Sequence, residues 1–229
     1  MKKLVVLSGA GISAESGIST FRDAGGLWEG HDVMEVASPE GWRRNPDLVL
    51  HFYNQRRRQL HEVKPNAGHY GLAELEQHFD VRIITQNVDN LHERAGSTNV
   101  LHLHGELLKV RSIRNPSFVL DWHDDLFIGD HDSDGNQLRP HIVWFGEEIP
   151  ALEEALDMTQ SADIYVVVGT SLQVYPAAGL IGFTNPGIPV FYLDPHPAPI
   201  NNLPNPLQII SEKASVGFPI LRDKLLTLL

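Results

Sequence analysis

The chain opens Leu4-Val5-Val6-Leu7-Ser8-Gly9-Ala10-Gly11-Ile12-Ser13-Ala14. Four apolar residues of strand character run into a glycine-rich turn, and helix-compatible sequence follows. A strand-turn-helix of this kind binds phosphates. Gly9 permits a tight turn, Gly11 lets the backbone approach an anion, and small Ala14 lets the helix pack close to the strand. N–H groups at the helix start then face a pyrophosphate. The stretch points to a dinucleotide, although small residues at such a turn also serve ordinary packing. An ordinary dehydrogenase would end a second strand in an acidic residue about 20 positions on, to hold the ribose hydroxyls. Here Ser19-Thr20-Phe21-Arg22-Asp23-Ala24-Gly25-Gly26-Leu27-Trp28 is polar, glycine-rich and unlike a buried strand. The nucleotide is expected to be held in another way.

Further strand-like runs lie at 81–86, 99–103, 163–169, 189–193 and 207–210, with helix-like segments at 46–60, 66–79, 149–161, 175–184 and 216–229. Strands alternating with helices predict an α/β fold with a parallel, Rossmann-like sheet covered on both faces. Ligands bind such sheets beyond the carboxyl ends of the strands. The residues there are Gly9-Ala10-Gly11, Gln86-Asn87-Val88-Asp89, His104-Gly105 and Gly169-Thr170-Ser171, all small or polar. Two stretches break the alternation: 25–61, dominated by one helix, and the polar stretch 107–140. The reading is one domain, 1–229, with a large lobe of approximately 1–24, 62–106 and 141–229 and a small discontinuous lobe of approximately 25–61 and 107–140.

The 229 residues are 42% hydrophobic and 21% charged, as in a globular protein with a substantial core. A net charge of −11 argues against nucleic acid as the partner. With no cysteine, disulfides, thiolate zinc sites and cysteine nucleophiles are excluded. The apolar run after Lys2-Lys3 is too short for a secretory signal, and no stretch is long enough to span a membrane. The expectation is a cytoplasmic protein, acting as a monomer, without membrane or nucleic-acid partners.

In Val100-Leu101-His102-Leu103-His104-Gly105, the leucines share one face and the histidines the other. His104, at the strand end, is placed to act as a general base near neutral pH. His102 reads as a satisfied structural histidine. In Gln86-Asn87-Val88-Asp89, an amide and a carboxylate can pair with the two faces of a carboxamide, although Asn and Asp also suit turns and caps.

Together these residues resemble the sirtuins, NAD-dependent protein-lysine deacylases. Gly9-Ala10-Gly11-Ile12-Ser13, Gly17-Ile18-Ser19-Thr20-Phe21-Arg22, Gln86-Asn87-Val88-Asp89, Leu103-His104-Gly105, Arg139-Pro140-His141-Ile142-Val143-Trp144-Phe145-Gly146-Glu147 and Gly169-Thr170-Ser171-Leu172 match that family in order and spacing. The resemblance implies that Gly9, Ala10, Gly11, Ser13 and the loop through Phe21, Arg22 and Trp28 cradle NAD. It implies that Gln86, Asn87 and Asp89 hold the ribose and nicotinamide end, with Asn87 also catalytic, that Thr170 and Ser171 line the adenosine side, and that Gly169 and Ala214 also bind the cofactor. Phe21 would shield the reactive sugar carbon and His104 would be the base. The acyl oxygen attacks the ribose as nicotinamide leaves, and a ribose hydroxyl activated by His104 takes over the acyl group. The products are free lysine, nicotinamide and acyl-ADP-ribose. Val143, Phe145 and Gly146 would pair with the acylated substrate by strand addition.

In the helix-like segment 46–60, Val49, Phe52, Tyr53, Arg56 and Leu60 fall on one broad face. Arg57 and Arg58 fall elsewhere and read as solvated charges. An arginine on an apolar face needs an anion or a route to water. Within sirtuins, Tyr53-x-x-Arg56 resembles the class that removes succinyl or malonyl groups. Arg56 would fork onto the acyl carboxylate, Tyr53 would donate a hydrogen bond, and small Ala37 would leave room. The bland alternative pairs Arg56 with a protein carboxylate.

Most sirtuins hold a structural zinc on four cysteines in the region matching 107–140; here Ser112 and Asn115 stand about where the first pair would be. No zinc is expected, and the small lobe is expected to be more mobile or reduced to a loop. Asp130-His131-Asp132-Ser133-Asp134-Gly135 matches the start of a calcium loop, but its twelfth position is His141 and not Glu, so it reads as a solvated turn. Tyr192 stands near where the family often has an adenosine-contacting asparagine. Two rival readings remain: an ADP-ribosyltransferase or NAD hydrolase on the same fold, and a non-catalytic NAD-binding sensor.

Overall fold

A computed structural model describes residues 1–19, 27–28 and 30–229. Phe21 and Arg22 lie outside the described residues, as does the side chain of Leu27. The central sheet comprises β1 (Lys3–Ser8), β4 (Asp80–Thr85), β5 (Val100–His102), β9 (Ile164–Val168), β10 (Val190–Leu193) and β11 (Leu207–Ile210). It runs β11-β10-β9-β1-β4-β5, every neighbour parallel. β1 is central because it is apolar on both faces. Leu4 and Val6 pack on one side with α5 (Ala67–Glu74) and α8 (Ala214–Leu226). Val5 and Leu7 pack on the other with α7 (Leu152–Gln160) and the 3₁₀ segment Ala177–Phe183. The chain steps from β1 to β4 on one side and returns to β9 on the other. This reversal opens a crevice above Ser8.

The remaining elements form a second layer. The pair β2 (Leu27–Trp28) and β3 (His31–Asp32) precedes α2 (Val33–Val36), α3 (Pro39–Arg44) and α4 (Pro46–Glu62). Asn45 caps α4 by accepting from Leu48 N at 3.1 Å, and Pro46 opens it. The short α1 (Ala10–Ala14) and α6 (Leu91–Ala95) follow β1 and β4.

The stretch 107–140 is not a loop. It carries an antiparallel sheet, order β7-β6-β8, of β6 (Gly105–Ser112), β7 (Val119–Asp121) and β8 (Leu138–Ile142). Val110, Leu126 and Leu138 bury against Leu50 of α4 and supply a core of their own. A second correction concerns Arg57, which is fully buried. It donates from Nε to Leu107 O at 3.2 Å and from Nη1 to Asn54 Oδ1 at 2.8 Å, and burial lowers its pKa to about 10. α4 buries two faces, so the second one needs a polar side chain long enough to reach the β6 backbone. Arg58 is exposed and pairs with Asp125 at 2.9 Å.

The chain has no cysteine, and oxygen groups tie the end of β6 to the loop before β8. The Ser112 hydroxyl accepts from Arg114 N at 3.1 Å and Asn115 N at 3.2 Å. Its bond to Asp132, with further bonds from the Asn136 and Asp134 amides, holds that carboxyl down to about 2. The Asp132 carboxylate folds back on its own loop, accepting from Asp134 N at 2.9 Å and Asn136 N at 2.8 Å. Among the described residues no cluster of His, Asp and Glu suits a metal.

Candidate active site

The crevice is built where two loops cross. Gly9 N donates to Val168 O at 3.1 Å and Gly11 N to Gly169 O at 2.7 Å. A Cβ on Gly11 would stand 2.8 Å from the Gly169 backbone. These glycines therefore let the β9 loop approach, and their N–H groups are engaged before any ligand arrives. Ala10 has no such bond among the described residues.

Behind this turn lies a buried polar cluster. Ser13 Oγ donates to Asp89 Oδ2 at 2.9 Å and accepts from Asn87 Nδ2 at 3.1 Å. Asn87 Nδ2 also reaches Gly9 O at 3.2 Å, so both its amide protons are used and its side-chain oxygen is left for a ligand. Asp89 accepts from Leu91 N at 3.0 Å, and burial raises its pKa. His69 also reaches Ser13 Oγ, at 3.4 Å, and accepts from Asn66 N at 3.2 Å through Nδ1. It is therefore the neutral tautomer, and burial lowers its pKa to about 4. His92, its ring 5.0 Å away, bonds Ser8 Oγ at 2.9 Å. Neither histidine stands out in the sequence reading. The available signal was Asn66-x-x-His69 at a helix start, a capping box.

The two alternating histidines brace one loop. His104 Nδ1 donates to Gln86 O at 3.0 Å, which leaves Nε2 with its lone pair. Burial lowers the His104 pKa, against the pull of that bond. His102 Nδ1 donates to Asn87 O at 2.9 Å and its Nε2 meets Glu93 at 2.7 Å. Burial opposes its charge, but the bond and charge of Glu93 outweigh this and raise its pKa. Gly105 supports the turn after His104 with a φ of +85°.

Gln86 Nε2 donates to Thr170 Oγ1 at 3.1 Å, joining the β4 and β9 loops. Tyr192 is buried and donates to Thr170 O at 2.8 Å, so it shapes this loop from beneath. Ser171 is half-buried, and Leu172 next to it has a φ of +54°, strained for a branched side chain. Ala214 is a core residue packed near Gly68.

The segment after β8 starts from His104, whose carbonyl accepts from Val143 N at 2.9 Å. Phe145 N donates to Ala37 O at 2.9 Å, and Trp144 N to Glu147 at 2.8 Å. Three successive amides are thus engaged within the chain. The Val143 carbonyl and the Gly146 amide carry no such bond among the described residues. Glu147 is gripped by Arg139 at 2.7 Å and Arg111 at 3.0 Å, and the Arg139 guanidinium lies 3.3 Å over the Trp144 ring. The indole of Trp144 donates to Tyr53 Oη at 3.0 Å. On α4, Arg56 lies 5.0 Å over Phe52. Trp28 stands edge-on to Phe52 at 4.9 Å and to Tyr53 at 6.3 Å.

The family model described as "Sir2 family" matches residues 9–176. The chain belongs to the Sir2 family. It is an enzyme of the sirtuin type, with the parallel α/β sheet of that family. A Helicobacter pylori (strain J99) protein named NAD-dependent protein deacylase is 60% identical over 226 residues, covering 99% of this chain and 96% of its own length. A solved Sir2 homolog–NAD complex superposes with a TM-score of 0.86 at 36% identity, over 99% of this chain and 90% of that one. A Sir2 protein with a deacetylated p53 peptide and 3′-O-acetyl ADP ribose gives 0.79 at 28%, over 96% and 92%. The crevice suits the NAD of such Sir2 complexes: it offers the Asn87 oxygen, the Ala10 amide and Ser171.

Proposed function

We propose that this chain uses NAD to remove acyl groups from protein lysines, favouring succinyl and malonyl over acetyl, and yields nicotinamide and O-acyl-ADP-ribose. It does so as a zinc-free cytoplasmic monomer acting on acylated lysine side chains of proteins or peptides. The observation that carries the reaction is the fixed tautomer of His104. With Nδ1–H held by the Gln86 carbonyl of the β4 loop, Nε2 is the basic nitrogen. Bound NAD supplies the ribose carbon that takes the acyl oxygen as nicotinamide departs, and the hydroxyl that then receives the acyl group. His104 Nε2 takes the proton from that hydroxyl. Asn87, its amide protons held by Gly9 and Ser13, presents an acceptor to the carboxamide end. Gly9, Ala10, Gly11, Thr170 and Ser171 line the remainder, and Val143 and Gly146 align the substrate backbone.

The acidic-acyl preference rests on Tyr53 and Arg56. Tyr53 accepts from Trp144 and so keeps its own O–H as a donor, and burial raises its pKa. Arg56 projects from the same stretch of α4 beside Phe52. The test is mass spectrometry of matched succinyl-lysine and acetyl-lysine peptides with and without NAD. NAD-dependent loss of succinyl faster than acetyl is expected. Faster acetyl removal would overturn the preference, and no NAD-dependent loss would overturn the reaction.

A further inference from the structure

The substrate segment does not end at Glu147; it runs on into a groove of about 620 Å³. Ile149, Leu152 and Leu156 form an apolar floor continuous with the core beneath the sheet, and Pro176 makes the far wall. Glu148 and Glu153 stand on the rim, both exposed. Glu147 is held by Arg139 and Arg111. Glu148 and Glu153 have no ion-pair or hydrogen-bond partner through their side chains among the described residues. Among the described residues no lysine or arginine lines the groove.

We propose that this groove is a flanking subsite selecting acylated segments that carry a lysine or arginine near the acyl-lysine. The proposal rests on the deacylase reading above. A substrate backbone alongside Val143–Gly146 advances about 3.3 Å per residue, so it reaches the groove within a few residues. Long basic side chains fit both of its surfaces. Their aliphatic stems lie on Ile149, Leu152 and Leu156, and their heads reach the rim carboxylates. Charge complementarity favours this occupant over a second copy of the chain, which at −11 would be repelled.

The experiment is an arginine scan. Otherwise neutral peptides, in succinyl and acetyl forms, carry one arginine at each of three positions on either side of the acyl-lysine. Wild type is compared with Glu148→Gln/Glu153→Gln; both sites are exposed, and melting confirms folding. Wild type should favour arginine on one flank by about five- to tenfold in kcat/KM, through KM, and added salt should shrink the advantage. The double variant should lose most of that ratio. Turnover of the neutral parent peptide reports deacylation independently of the groove. Turnover with no flank preference, or with a preference that survives in the double variant, overturns the subsite alone. No turnover of any peptide overturns the deacylase reading and the subsite with it.

Discussion

The Trp144 indole N–H donates to the Tyr53 hydroxyl across 3.0 Å, joining the segment after β8 to α4 through two buried aromatic side chains. The bond fixes which way the phenol can act: its oxygen accepts from inside the protein, so its proton points elsewhere. Tyr53→Phe would strand a buried indole donor and cost about 1–3 kcal/mol of stability. Arg56→Met leaves that bond intact. It should lower kcat/KM on succinyl-lysine by about a hundredfold and on acetyl-lysine by only a few-fold. Steady-state assays on both peptides check this, and equal losses would sink carboxylate recognition by Arg56.

His104 must be neutral to act as a base. Burial lowers its pKa, so the neutral form persists to lower pH than for an exposed histidine. Activity rises as pH climbs through that value, and the acid limb of kcat/KM should have its midpoint below 6.5. His104→Tyr should reduce turnover by at least about a hundredfold with an unchanged melting curve. An acid limb in the active variant at the wild-type position would assign the base elsewhere.

The buried pair His69 and His92 should make the protein acid-sensitive. Burial pushes both below their ordinary values, His69 to about 4. The unfolded chain therefore takes up protons first as pH falls. Stability is complete above about 6.5 and declines toward pH 4, with His69 alone accounting for roughly 2–3 kcal/mol. His102 runs the other way. Its raised pKa gives a contribution fully present below 6.5 and lost only at higher pH, so it adds nothing to the acid loss. Melting temperature against pH tests this, and His69→Gln should flatten part of the slope.

The six sheet strands were legible because parallel strands buried on both faces read as unbroken apolar runs, as in Ile164–Val168. The position of His104 just past the end of β5 was legible as well. β6 and β8 were not, because Glu106, Lys109, Arg111 and Arg139 make their sequence polar. That charge is absorbed by Glu147 and by the surface. Helical period assigned Arg57 to solvent because it presumes one buried face, whereas α4 has two. The engaged amides of Gly9 and Gly11 depend on a loop about 160 residues away, which no local pattern reports.

Asp132 supplies the last prediction. Its carboxylate accepts from the amides of Asp134 and Asn136 and bonds Ser112 at the end of β6. If these bonds clasp the β6–β8 sheet without metal, Asp132→Ala should lower the melting temperature and raise KM for peptide, since that sheet carries Arg111 and Arg139 beneath the substrate segment. Asp132→Asn, which keeps an acceptor, should lose less. The carboxyl is held down to about 2, so its contribution is present above about pH 4 and fades as pH falls further. Chelator should leave the melting temperature of the wild type unchanged. A chelator-induced drop, reversed by zinc, would show that a metal and not Asp132 holds the lobe.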